Sequence, residues 1–308
     1  MPDEIKIGAL APWFGSKRTL APAILEELGE HRVYWEPFAG SMAVLLAKPK
    51  SSMETVNDLH GDLVNLARVV QDRLEGPRLY RRLRRVPASE AIFKDAVEAL
   101  KVPSDGIDPD RAFAYFVASW LGRNGIAGTQ VGLKNGAGHS FCVRYTANGG
   151  QTGKRWVSAV GSIPAWSRRL REVTVLRRDA FEVIARIDDT SSTAIYVDPP
   201  YLKETRSGYA SAEGGNGRYL HDFDDAGQHD QLAVALARFK HARVVVSYYD
   251  HPRLADLYPG WSKRVIPTNK AIANQAKRDV KGATKVAEVL LSNRMTEAAR
   301  PRAELLFA

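Results

Sequence analysis

Cysteine is nearly absent from this chain: one residue, Cys142, stands among 308. No disulfide can form within the chain and no zinc site can be built on cysteines, which fits a reducing compartment. Long apolar runs are missing too. None approaches the roughly 18 residues that span a bilayer, and Met1 to Leu10 lacks the basic-then-apolar pattern of a secretory leader. The expectation is a soluble, cytoplasmic protein. There is no internal repeat and no low-complexity tract. The phosphate-cradling patterns GxxxxGK(S/T) and GxGxxG do not occur, so a bound phosphate is not the obvious ligand. No spacing of histidines and acids suggests a metal cluster.

What is present is an ordinary globular composition with a strong bias in charge. Hydrophobic residues make up 44% and charged residues 26%, enough for a sizeable core in one large domain or two small ones. The formal net charge is +9 and the pI about 9.6. A surplus of that size is a footprint of polyanion binding, most often nucleic acid, although an indifferent basic surface would give the same number.

Val33 to Glu36 reads as a short strand. A tight turn at Pro37-Phe38-Ala39-Gly40 follows, then a helix from Met42 to Ala47 and a strand at Thr55 to Asp58. Strand, turn, helix, strand is a βαβ unit and implies a parallel sheet. Further strands are expected at Thr193 to Asp198, Ala242 to Tyr248 and Val286 to Ser292, with a helix at Leu232 to Phe239. The middle differs. Arg68 to Ala118 reads as mostly helical and very basic, with Arg81-Arg82-Leu83-Arg84-Arg85 inside it. Gly122 to Gly153 is glycine-rich. The chain thus reads as an α/β domain, residues 1–70 and 171–308, interrupted by an insert over residues 71–170. Two further stretches, Lys203 to Leu220 and Lys270 to Lys285, have the composition of functional loops or disorder.

Three short motifs carry chemistry. Asp198-Pro199-Pro200-Tyr201 follows an apolar strand, which would deliver it to the carboxyl edge of the sheet. Two prolines remove two backbone donors and fix the turn. That leaves acceptors, the Asp198 carboxylate and the Pro199 carbonyl, suited to the two N–H groups of an exocyclic base amine. Tyr201 could stack on the base. A strand ending in an ordinary proline turn fits the same residues. In Glu36-Pro37-Phe38-Ala39-Gly40-Ser41, small residues let the backbone approach a ligand, and Glu36 offers a carboxylate to a cationic amine. About 20 residues on, Asp58 stands where an acid holds ribose hydroxyls in dinucleotide folds. A nucleoside with a cationic amino-acid tail fits that pair, and so does a plain turn with two surface acids. In Pro12-Trp13-Phe14-Gly15-Ser16-Lys17, Lys17 could hold a carboxylate and Trp13 could cover an adenine ring, or the aromatics could belong to the core.

Taken together and in this order, with a basic insert before DPPY, the motifs resemble the Dam-type family of DNA adenine-N6 methyltransferases. Asp179-Ala180-Phe181 lies where the family has Gly-Asp-Phe. Phe223 to Leu232, with His229, resembles its segment after the target-base loop, and Glu288 to Asn293 resembles its terminal strand. The resemblance implies a Rossmann-like methyltransferase sheet with an inserted target-recognition domain. It implies S-adenosylmethionine held by Trp13, Lys17, Glu36, Phe38, Ala39, Gly40, Asp58 and Asp179, and a flipped adenine held by Asp198, Pro199, Pro200 and Tyr201. Two positions depart from the family: Met42 replaces a glycine, so a different turn is expected, and Arg178 replaces the glycine before Asp179.

The expected partner is double-stranded DNA, which must extrude the target nucleotide at a cost of a few kcal/mol, offset by phosphate contacts. Transfer is expected to be direct, because the lone cysteine sits in no nucleophile motif, and cytosine-carbon methylation needs an attacking thiolate. Candidate DNA contacts are Arg123, Asn124, His139, Arg144, Tyr145, Lys154 and Arg155 in the insert, and Lys277, Arg278 and Lys281 downstream, since arginine suits guanine and asparagine adenine. Arg81 to Arg85 reads equally as a solvated helix face. A monomer is expected, and a restriction endonuclease could be a partner. Competing readings are cytosine-N4 methylation, where Ser-Pro-Pro-Tyr is commoner, RNA or protein-glutamine methylation, where Asn-Pro-Pro-Tyr is, and a DNA-binding protein on an inactive methyltransferase fold.

Overall fold

Short runs of β-branched, aromatic and aliphatic residues form seven strands: β1 (Val33–Glu36), β2 (Met53–Asn57), β3 (Val173–Leu176), β4 (Thr193–Val197), β5 (Arg243–Tyr249), β6 (Ser262–Ile266) and β7 (Glu288–Ser292). In this computed structural model the described residues are 5–13, 15–104, 106–122, 141–143, 151–205, 223, 227–266 and 287–294. The strands make one sheet, ordered β3-β2-β1-β4-β5-β7-β6. β1 to β5 pair in parallel, and β7 runs antiparallel to both β5 and β6.

This order sets the place of the site. From β1 the chain steps outward through β2 to β3, then returns to β4 on the other side of β1 and steps outward to β5. Connections leaving β1 and β4 therefore diverge, and the crevice between them opens at the carboxyl ends of the strands. The antiparallel β7 begins at that same edge, with Glu288 opposite Tyr249 of β5.

Both sheet faces are buried, as a largely parallel sheet requires. Alternate residues point to opposite faces. Tyr34, Val56, Ala194, Tyr196 and Val245 pack with α1 (Ala21–Leu28), α2 (Ala43–Ala47), α3 (Gly61–Gln71), α4 (Glu75–Arg84), α5 (Glu90–Ala99), α6 (Pro109–Leu121) and α7 (Thr152–Leu170). Ile195, Val197, Val244, Val246 and Tyr248 pack with α8 (Ala180–Ala185), α9 (Gly227–Ala237) and α10 (Arg253–Leu257). No helix among the described residues is long and apolar enough to cross a membrane.

The helices α4 to α7 share the core of the first face. Exposed pairs such as Arg78–Glu75, Lys94–Glu90 and Lys101–Glu98 contribute at most about 1 kcal/mol each. Burial of Leu79, Leu83 and Phe93 contributes roughly 1.5–3 kcal/mol per side chain and decides the packing. Arg81, Arg84 and Arg85 are exposed, whereas Arg82 pairs with Asp110 and lies 3.9 Å over the Phe113 ring. Each of α3 and α6 has a side-chain cap: His60 accepts from the Leu63 amide and Asp108 from the Arg111 amide. Asn65 clamps the two helices by bonding the Asp108 backbone in both directions, at 2.8 and 2.9 Å.

Aromatics of α6 and α7 also hold the N-terminal segment. Trp120 and Trp166 stack at 6.5 Å between centroids. Their indole N–H groups donate to the Leu10 and Ile7 carbonyls, at 3.1 and 2.7 Å. The Leu10 amide in turn donates to the Ser41 carbonyl of the β1–α2 turn, at 3.0 Å.

Candidate active site

The pinned N-terminal segment brings Trp13 and Lys17 to the sheet edge. Trp13 lies against Gly40: a Cβ there would sit 2.8 Å from the indole Nε1, and the residue has φ +44°. Only glycine meets both conditions. The Gly40 amide donates to Asp58 Oδ2 at 2.7 Å, and the His60 amide to Asp58 Oδ1 at 2.8 Å. Each oxygen keeps a lone pair for a further donor. Met42 has φ +58° and ψ +32°, so the turn keeps the left-handed backbone that glycine would favour, against the expectation of a different turn. The strain is offset by a methionine side chain fully buried in the core.

Glu36 ends β1 and is 2% exposed. Tyr34, two residues earlier on the same face, donates its hydroxyl to Glu36 Oε2 at 2.9 Å. Among the described residues no cation lies within ion-pair distance of it. Burial therefore dominates and pushes the carboxyl up to about 8; the nearby Asp198 charge acts in the same direction, while the Tyr34 bond works against it. Phe38, Phe223 and Phe181 form an aromatic row beside this turn, with centroids 6.1 Å apart at each step.

Asp198 follows β4 and is held from both sides. Ser247 on β5 donates to its Oδ1 at 2.8 Å, and the Tyr196 hydroxyl lies 2.9 Å from the Ser247 oxygen. Lys17 Nζ sits 3.1 Å from Asp198 Oδ2 and 3.1 Å from Glu288 Oε1, and donates to the Gly15 carbonyl at 2.7 Å. Lys17, expected on a cofactor carboxylate, is thus engaged by the acceptor turn. Burial raises the Asp198 carboxyl above the usual range, Lys17 opposes that, and the Glu288 charge adds to it.

Tyr201 is 5% exposed. Its hydroxyl donates to Glu288, Lys17 lies over its ring at 4.9 Å and Tyr249 packs edge-on at 4.6 Å. The open stacking face expected from the sequence is covered here by neighbours. Asp179 is exposed and caps α8, its Oδ1 accepting from the Phe181 and Glu182 amides at 2.9 and 3.3 Å. Lys154 is exposed on α7. Arg155 corrects an expectation. Its guanidinium donates to the Trp120 and Gly122 carbonyls, at 2.6 and 3.2 Å, and so closes the end of α6, where a helix leaves carbonyls unpaired. Phe14, Arg123, Asn124, His139, Arg144, Tyr145, Lys277, Arg278 and Lys281 lie outside the described residues.

Four residues that motif reading did not place in the site belong to it. Asn57, buried at the end of β2, ties three connections together. It donates to the Pro37 and Arg178 carbonyls, at 3.0 and 2.9 Å, and accepts from the Arg178 amide at 2.9 Å. Arg178 takes part through its backbone alone, so its side chain is free to differ from glycine. Tyr34, Ser247 and Glu288 are the others. Alternation along β1 and the polar residues inside apolar strands were the only signals for them.

The β1 side of this edge falls within a match to a known family. Residues 13–101 match the family of D12 class N6 adenine-specific DNA methyltransferases. That span holds Trp13, Lys17, Glu36, Gly40 and Asp58. The chain is also 24% identical over 292 residues to the DNA adenine methylase of Vibrio cholerae serotype O1 strain ATCC 39541, covering 92% of this chain and 94% of the relative. The same figures hold for the DNA adenine methylase of strain ATCC 39315. The chain is thus similar to adenine DNA methyltransferases, to that family over residues 13–101 and to the two methylases over nearly all of its length. The order of parts is the one expected from the sequence: a turn after β1 that follows a buried acid, then the DPPY turn after the neighbouring β4. The seven-stranded, mostly parallel sheet is the Rossmann-like methyltransferase arrangement.

Proposed function

We propose that the crevice between the β1 and β4 turns binds S-adenosylmethionine on the Glu36 side and a flipped adenine of duplex DNA on the Asp198 side, and methylates N6 directly. The observation that carries this reading is the pairing of a buried and a half-buried carboxylate at the ends of neighbouring parallel strands, with opposite needs. Glu36 has no cation within ion-pair reach among the described residues, while Asp198 is a fixed acceptor in a turn without amide donors at Pro199 and Pro200.

The residues fit the cofactor. Glu36 would take its ammonium group, Asp58 its ribose hydroxyls through the spare lone pairs, and the Phe38, Phe181 and Phe223 row its adenine. Gly40 lets the backbone approach closely, with Trp13 closing over the turn. When bound, the cofactor supplies a sulfonium methyl, an electrophile whose carbon–sulfur electron pair returns to sulfur as the amine nitrogen bonds the carbon. Asp198 and the Pro199 carbonyl accept the two N–H groups of the adenine amine and localise its lone pair on nitrogen. The transferred methyl leaves the nitrogen cationic, and Asp198, already raised toward its neutral form, is placed to take the released proton. Ser247 and Lys17 keep the carboxylate oriented throughout.

Tyr201 would stack on the base once the contacts that cover its ring give way. The helices and glycine-rich stretch over residues 71–170 would read the sequence around the adenine, with Lys154 among the cations for phosphate. The protein would act as a monomer, with a restriction endonuclease of the same system as a partner. The test is incubation of purified protein with labelled S-adenosylmethionine and duplex DNA, followed by digestion to nucleosides. Label in N6-methyladenine is expected. Label in N4-methylcytosine, or only in RNA, would overturn the reading.

A further inference from the structure

We propose that Glu288 is a positioning residue of this site, sharing the Lys17 ammonium with Asp198 so that the acceptor turn keeps a net negative charge facing the base amine. The inference rests on the methyl-transfer reading above. Its starting point is the arrangement around Lys17. The ammonium reaches three oxygens at once, Gly15 O at 2.7 Å, Asp198 Oδ2 at 3.1 Å and Glu288 Oε1 at 3.1 Å. An ammonium has three donors, so this tripod fixes its position. The lysine side chain is 6% exposed, and Glu288 10%. Asp198 is 22% exposed, so water screens the three charges only in part.

Among the described residues one cation stands against two carboxylates. If Lys17 faced Asp198 alone, the pair would be neutral, and the turn would offer the amine an acceptor whose charge is already spent. With Glu288 on the same ammonium, the group as a whole stays negative. That matters as the bond forms, because the amine nitrogen then becomes positive, and a charge placed beforehand stabilises it without reorganisation. The Tyr201 hydroxyl, donating to Glu288, holds that carboxylate in place and ties the DPPY turn to β7. The antiparallel direction of β7 brings Glu288 to this edge, since its first residue pairs with the last residue of β5.

Groups acting on Asp198 come from every neighbouring element: Lys17 from the N-terminal segment, Glu36 from β1, Tyr196 and Tyr201 from β4 and its turn, Tyr248 and Tyr249 from β5, and Glu288 from β7. Glu288 is the acid that shares the lysine.

The experiment compares wild type with Glu288→Gln and Glu288→Asp, measuring single-turnover rates on adenine-containing duplex from pH 5 to 9. A parallel 13C NMR titration follows labelled aspartate, with the Asp198 resonance assigned from Asp198→Asn. Glu288→Gln is expected to lower the rate roughly ten- to hundredfold, as loss of one electrostatic stabiliser does, with KM for DNA and cofactor largely unchanged. The acidic limb of the rate profile and the Asp198 titration should both move to lower pH, because a like charge has been removed. Glu288→Asp, which keeps the charge, should restore both toward wild type. If Gln and Asp variants titrate alike, or if the Gln variant only lowers thermal stability while its rate and pH profile stay put, the proposal is overturned. Wild-type protein that makes no N6-methyladenine overturns the functional reading instead, and the NMR titration still decides whether the charge is shared.

Discussion

Glu36 and Asp198 stand at the ends of neighbouring parallel strands, the first buried and the second half-buried, and are treated oppositely by their surroundings. Asp198 has a lysine, a serine and a tyrosine–serine link committed to it before any ligand arrives. Glu36 has a tyrosine hydroxyl and is left to hold its own proton up to about 8. The difference fits the two tasks proposed for them. An acceptor that must position an amine is best fixed in advance. A carboxylate meant for a cation is best left uncompensated until that cation arrives, because a resident lysine would have to be displaced.

The sharpest way to break this contrast is Asp198→Asn. It should reduce methyl transfer by roughly a hundred- to a thousandfold, since the amine loses its charged acceptor, while calorimetric binding of S-adenosylmethionine is retained. Equal loss of both would place Asp198 on the cofactor side. Next is Glu36→Gln, expected to weaken cofactor binding by roughly tenfold or more, as loss of a charged hydrogen-bond partner does. The wild-type carboxyl must lose its proton to meet an ammonium group. Affinity should therefore rise with pH toward about 8, with proton release on binding near neutrality that the Gln variant lacks. Calorimetry in buffers of different ionisation enthalpy reads that release directly.

The same group sets a stability trend in the ligand-free protein. Between the ordinary glutamate value of 4.5 and about 8, the folded chain holds a proton that the unfolded chain has lost. Stability from this group is therefore full at low pH and is lost as pH rises through that window. Thermal melts of wild type minus Glu36→Gln should show that slope; a flat difference would contradict the burial of an ionisable Glu36. The smallest expected effect is Gly40→Ala. The positive φ and the Trp13 contact should cost about 1–3 kcal/mol, read as a lowered melting temperature together with weaker cofactor binding. An unchanged melt would mean that Trp13 does not close over the turn.

Much of the sheet was legible because β1, β2, β4, β5 and β7 are short apolar runs bounded by turns. β3 and β6 were not foreseen. Both are edge strands, and β6 sets Lys263 beside Arg264 and leaves Val265 exposed, so it carries no apolar run to detect. The DPPY and Glu36 turns could be found because local spacing alone defines them. Ser247 and Glu288 could not be, since their role depends on strands that meet only through pairing of β5 with β4 and β7. Arg155 shows the opposite error. A cation in a basic stretch read as a DNA contact, but a free carbonyl end of α6 lay within its reach. Lys17 was expected on a cofactor carboxylate, whereas its carboxylate partners here come from residues 198 and 288, far off in sequence.

The two indole bonds from Trp120 and Trp166 to the segment before Trp13 have a bearing on engineering. The lysine that charges Asp198 is anchored by helices from the middle of the chain as much as by the sheet. Those helices are therefore not an exchangeable cassette. A chimaera that replaces residues 71–170 would have to present indole donors to the Ile7 and Leu10 carbonyls, or the edge that carries Lys17 would lose its splint.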